Sequence, residues 1–76
     1  MNRIFHYDAF DAHGVPETYV LEVDRLVDAD EDYIGIADYT VLDGDLSLLS
    51  ASQLLTMEEW LVWEYVRRWN EYYAPY

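Results

Sequence analysis

Cysteine and lysine do not occur in these 76 residues, glycine occurs three times and proline twice. Without cysteine there is no disulfide framework and no thiolate metal site, and nothing points to an oxidising compartment. The three glycines are isolated, so no glycine-rich phosphate loop exists. No apolar run is long enough to span a bilayer. The start, MNRIFHYDAFD, meets a histidine and acids too early for a signal peptide, so a cytoplasmic protein is expected. Positive charge is also scarce: four arginines stand against 16 acidic residues, a formal net charge of −12. A field of that sign repels nucleic acid and anionic membranes and attracts basic surfaces.

What is present is apolar area. Hydrophobic residues make up 53% of the chain and aromatics 17%, enough to drive folding of one small domain, residues 1–76, despite the acidity. The longest segment with a clear period is Thr56 to Tyr73. Thr56 and Glu59 form a T-x-x-E capping box, which predicts the helix start. At about 100° per residue, Leu61, Val62, Tyr65, Val66, Trp69, Tyr72 and Tyr73 share one arc, the pattern of a helix on a core. Glu59, Glu64, Arg67, Asn70 and Glu71 occupy the other arc, and Trp60 and Trp63 interrupt it. Two explanations stay open for these tryptophans: the domain covers both sides of its helix, or they mark a partner-binding surface, where Trp is over-represented.

Ahead of the helix, Arg3 to Phe10 is rich in strand-favouring residues. In Glu17 to Asp24, Tyr19, Leu21 and Val23 alternate with Thr18, Glu22 and Asp24. Asp11 to Pro16 between them supplies turn formers, so the two stretches predict a β-hairpin. The residues Tyr7, Ala9, Asp11, Gly14, Glu22 and Asp24 resemble the hairpin that opens the cytoplasmic domains of type II secretion and pilus-assembly platform proteins. That resemblance implies the hairpin. Tyr33 to Leu42 is a third strand candidate, ended by Asp43-Gly44-Asp45. Leu46 to Leu55 reads as a short helix or a linker packed on the core, with Ser50 and Gln53 as a weaker capping pair. The fold expected is α+β: a small two-layer domain in which a three-stranded antiparallel sheet is packed by a C-terminal α-helix.

The chemistry of an enzyme is not recognisable here. His6 and His13 stand apart from any metal-binding motif, no Ser, His and Asp occur at a motif spacing, and nothing indicates a cleft that would separate two carboxyl pKa values. Asp28, Asp30 and Asp32 have the start of a calcium-loop spacing. The sixth and twelfth positions hold Tyr33 and Tyr39 in place of glycine and glutamate, so the loop fails. Neither catalysis, nor a metal, nor a cofactor is expected.

Acids and rings remain. Asp24, Asp28, Asp30, Glu31 and Asp32 crowd within nine positions. If extended, Asp28, Asp30 and Asp32 would project carboxylates at steps of about 6.6 Å, like a row of phosphates. With Asp38, Asp43, Asp45, Trp60, Trp63 and Glu64 they make the candidate partner-binding set. A groove lined with Arg and Lys draws most of its nucleic-acid affinity from backbone charge, so such a row competes for it.

In size, charge and aromatic content the chain is similar to small phage-encoded inhibitors that imitate DNA: anti-CRISPR proteins, uracil-DNA glycosylase inhibitors and anti-restriction proteins. That resemblance implies a basic protein surface as partner, a nucleic-acid groove on a bacterial defence or repair protein, with an anti-CRISPR role preferred. It implies no direct binding to nucleic acid or membrane. An immunity protein or antitoxin facing a basic nuclease is the alternative, as are a salt-adapted acidic subunit and a secretion-machine subunit. Monomer and homodimer are both compatible with the sequence.

Overall fold

The computed structural model describes residues 1–27 and 35–73. Its order is strand β1 (Ile4–Phe10), strand β2 (Pro16–Val27), strand β3 (Ile36–Asp43), a 3-10 turn at Leu46–Leu48 and helix α1 (Ala51–Tyr73). The strands form an antiparallel sheet in the order β1-β2-β3, and α1 lies across one face, the expected α+β arrangement. Among the described residues, no helix is long and apolar enough to cross a membrane.

Alternation in the strands sets the two faces. Phe5, Tyr19, Leu21, Val23 and Ala37 point to the helix and are buried with Met57, Leu61 and Val62. Tyr7, Tyr39 and Val41 complete that face, with Phe5 opposite Leu21, Tyr7 opposite Tyr19 and Val23 opposite Tyr39. The helix-free face carries His6, Asp8, Phe10, Thr18, Val20, Glu22, Asp38, Thr40 and Leu42.

A register shift lies between Val23 and Arg25, where Val23 faces Tyr39 and Arg25 faces Asp38. Asp24 is therefore an extra residue in β2. A one-residue insertion swaps the faces of everything after it. Arg25 thereby comes to stand opposite Asp38, and Leu26 packs on the core.

The hairpin turn is organised by Asp11, the one buried charged residue among those described. Its Oδ1 accepts from the amides of His13 (2.8 Å) and Val15 (3.0 Å), which satisfies donors that the turn leaves unpaired. The amide of Ala12 donates to the carbonyl of Leu48 at 3.0 Å, tying the turn to the segment before α1.

The helix begins five residues before Thr56, which corrects the expected start. Ser50 and Gln53 form the capping box: Gln53 Oε1 accepts from the Ser50 amide at 2.8 Å, and the Gln53 amide donates to Ser50 Oγ at 3.2 Å. Gln53 Nε2 also donates to the carbonyls of Phe10 and Asp11 at 3.2 Å each. This tertiary contact selects Ser50 over Thr56, whose hydroxyl donates instead to the carbonyl of Ser52 at 2.9 Å inside the helix. Among the described residues the third strand starts at Ile36, after Gly35 at φ +110°. Tyr33 and Ile34, given to that strand from the sequence, lie outside the described residues.

Candidate partner-binding surface

Only part of the expected acidic set can be placed. Asp28, Asp30, Glu31 and Asp32 lie outside the described residues. Asp24 and Asp38 stand in β2 and β3, while Asp43 and Asp45 lie at the other end of β3 and just beyond it. The described acids are thus divided between the two ends of the sheet.

Their local partners differ. Asp38 meets the guanidinium of Arg25 at 3.3 Å, with both side chains largely exposed, a geometry in which an ion pair contributes little. Asp24 Oδ2 accepts from the Thr40 hydroxyl at 3.2 Å. Asp43 accepts from the Gly44 amide at 3.0 Å. Asp45 caps the 3-10 turn, accepting from Ser47 Oγ at 2.6 Å and from its amide at 3.0 Å. Those hydrogen bonds favour the charged form and hold its carboxyl below the ordinary aspartate range. Glu64 is half-buried and bound to Arg67, which also reaches Glu71 at 3.1 Å. The two carboxylates raise the Arg67 pKa above its ordinary value, the Glu64 hydrogen bond being the larger cause.

All four arginines are engaged within the chain. Besides Arg25 and Arg67, Arg3 donates to the carbonyl of Asp24 at 3.4 Å. Arg68 donates to the carbonyls of Asn2 (3.0 Å) and Ile4 (2.8 Å) and lies 3.9 Å from the centroid of the Phe5 ring. Twelve of the 16 acids are described, and Asp38, Glu64 and Glu71 are the three that meet a guanidinium, which leaves nine without one. Buried Asp11 serves the turn, and Glu58 accepts from the Tyr39 hydroxyl at 2.9 Å. Asp8, Glu17, Glu22, Asp24, Asp43, Asp45 and Glu59 remain at the surface or half-buried with no guanidinium among the described residues. Sequence reasoning had not included Asp8, Glu17, Glu22 or Glu59. Glu22 was legible, since it alternates against Leu21 and Val23 beside Asp24.

The two tryptophans separate. Trp60 packs on the core, its ring 4.9 Å from Tyr7 and 6.3 Å from Phe5, because β1 runs beneath that side of the helix. It is half-buried, and the covering explanation holds for it. Trp63 is 61% exposed, on the outward side one turn from Glu59. The expected apolar arc is corrected as well. Leu61 and Val62 are buried, but Trp69, Tyr72 and Tyr73 are exposed. Arg68 already reaches Ile4, the first residue of β1, so the five residues after it overrun that strand.

Among the described residues, no three of His, Asp and Glu gather as metal ligands. A shallow groove runs between β1 and the helix start, lined by Tyr7, Ala9, Phe10, Gln53 and Thr56, and brings no acid and base together. The Tyr19 phenol is buried without a hydrogen-bond partner among the described residues; burial first, then Glu17, Asp11 and Asp45, raise its pKa. No family model, no curated protein and no solved structure matches this chain.

Proposed function

We propose that this chain is a non-catalytic inhibitor whose carboxylates occupy an Arg- and Lys-lined nucleic-acid groove, of the kind that a CRISPR effector complex presents to its target DNA. The observation that carries this reading is the division of charge. Every arginine is held by the chain itself, while nine described carboxylates have no guanidinium partner. Here the outward field is of one sign, the condition for steering onto a basic partner and for competing with a polyanion.

The docking face is the side of the sheet that α1 leaves open. Glu22 and Asp24 stand two residues apart along β2, Asp8 lies on β1, and Asp43 closes β3. Thr18 and Thr40 hold Asp8 and Asp24 by hydrogen bonds, which lowers the entropic cost of presenting them. Exposed Phe10 and Leu42 add apolar contacts that a real polyanion lacks.

The test is competition. The chain is titrated into a purified CRISPR effector complex bound to labelled target DNA, at 0.05 and 0.3 M salt. The expected result is displacement at the lower salt, weakened at the higher. The variant Asp8→Asn/Glu22→Gln/Asp43→Asn, which keeps every buried group, loses most of its competition at low salt and little at high salt, since exposed charges are screened over about 8 Å near physiological ionic strength. Undiminished competition by that variant removes the open face from the mechanism, and failure to compete on a panel of such effectors removes the mimicry.

A further inference from the structure

The carboxylates leave one feature unused. From Tyr65 to its end the helix carries a run of neighbouring rings: Tyr65 and Trp69 lie 6.4 Å apart between centroids, Trp69 and Tyr73 4.2 Å, and Tyr72 and Tyr73 4.8 Å. Trp69, Tyr72 and Tyr73 are 46%, 63% and 52% exposed. Trp69 also forms one wall of a groove with Tyr65, Val66, Leu26 and Arg25.

We propose that this aromatic ledge binds arginine side chains of the same basic partner, stacking their guanidinium planes on the exposed rings. The inference rests on the inhibitor reading above and adds to it a contact that charge alone does not supply. Two observations choose the occupant. Trp and Tyr faces attract cations, and among the described residues the one guanidinium stacked on a ring is Arg68 over Phe5, so none covers Trp69, Tyr72 or Tyr73. With a net charge of −12, the chain as a whole recruits a cationic partner and repels a second copy. Area argues the same way. At 150–250 Å² per ring, the exposed fractions amount to roughly 240–400 Å², well below the roughly 800 Å² per side that a stable dimer needs. The ledge therefore suits an anchor within a larger, mainly electrostatic contact. Arginine is selected over lysine because its planar, weakly hydrated guanidinium stacks on aromatic faces more readily than a compact, strongly hydrated ammonium.

The experiment uses the purified chain and two labelled probes, deca-arginine and deca-lysine, followed by fluorescence anisotropy and by tryptophan emission at 0.05 and 0.3 M salt. Each exposed ring contributes about two- to fivefold, so deca-arginine binds at least about threefold more tightly than deca-lysine. The preference persists at the higher salt, where screening weakens both peptides alike and leaves the stacking. The variant Tyr72→Ala/Tyr73→Ala removes most of the preference for deca-arginine, leaving the share that Trp69 supplies. Trp69→Ala is a second, independent variant, and far-UV circular dichroism verifies the helix in both. Equal affinity for the two peptides, or a preference that survives both variants, overturns the ledge and leaves the carboxylate reading standing. Absence of binding to either peptide overturns both. A wild-type dimer in sedimentation that becomes monomeric in Tyr72→Ala/Tyr73→Ala makes a second copy the occupant and overturns the proposal.

Discussion

At Gly44 a single added methyl group meets the core directly. Its φ is +103°, in the region that L side chains rarely adopt, and an added Cβ would stand 2.6 Å from Tyr19 Cδ1, 3.2 Å from Cε1 and 3.3 Å from Cγ. Tyr19 cannot yield easily, because its ring is wholly buried opposite Tyr7. Gly14 provides the control: its φ is +77°, and nothing lies within 4 Å of the corresponding Cβ. Alanine at Gly14 thus incurs only the left-handed backbone cost, about 1–2 kcal/mol. Alanine at Gly44 adds overpacking of about 1–3 kcal/mol, for a combined loss of roughly 2–5 kcal/mol. A domain of this length has roughly 4–11 kcal/mol in total, so Gly44→Ala consumes a large share of it. Urea unfolding followed by tryptophan emission gives both values at a common slope. If Gly44→Ala is no more destabilising than Gly14→Ala, the contact with Tyr19 is not rigid and the reasoning fails.

Gln53→Ala removes the reciprocal cap on Ser50 and both bonds to the hairpin carbonyls of Phe10 and Asp11. The expected loss is about 1–3 kcal/mol, with the amides of the first α1 turn exchanging faster in hydrogen-exchange measurements; unchanged exchange there refutes the coupling of cap to turn. The Tyr39 phenol has a raised pKa, because burial first and then the hydrogen bond to the Glu58 carboxylate disfavour its anion. In the unfolded chain it ionises near pH 10. The folded state keeps its proton longer, so stability is fully present below about pH 10 and falls as the pH rises above it. Melting temperatures measured from pH 8 to 11.5 decline above about pH 10, less steeply in Tyr39→Phe; an equally steep decline in that variant excludes the Tyr39 contribution.

Much of the fold was readable because it depends on neighbours in sequence. Tyr19, Leu21 and Val23 alternate, Asp11 and Gly14 punctuate a turn, and the apolar period after Met57 belongs to a helix. The helix start was misread because two capping pairs compete locally, and the choice between them rests on Gln53 reaching the hairpin 42 and 43 residues away. The candidate surface was less legible. Trp60 was open between two explanations and Trp69 was placed wrongly on the core arc: the helical period gives the angle between two side chains but not where the sheet beneath them ends. Arg25 and Leu26 took their faces from a bulge at Asp24 that alternation does not announce.

By itself the sequence determined the sign and excess of charge, the absence of thiol chemistry and the succession of three strands and a helix. Each of these follows from composition or from spacing within a few residues. Tertiary structure alone decided which arginines are engaged, which acids share the open face, and which rings lie beyond the sheet. Those properties depend on the registration of distant segments, where one inserted residue or one extra helical turn moves a side chain from core to solvent.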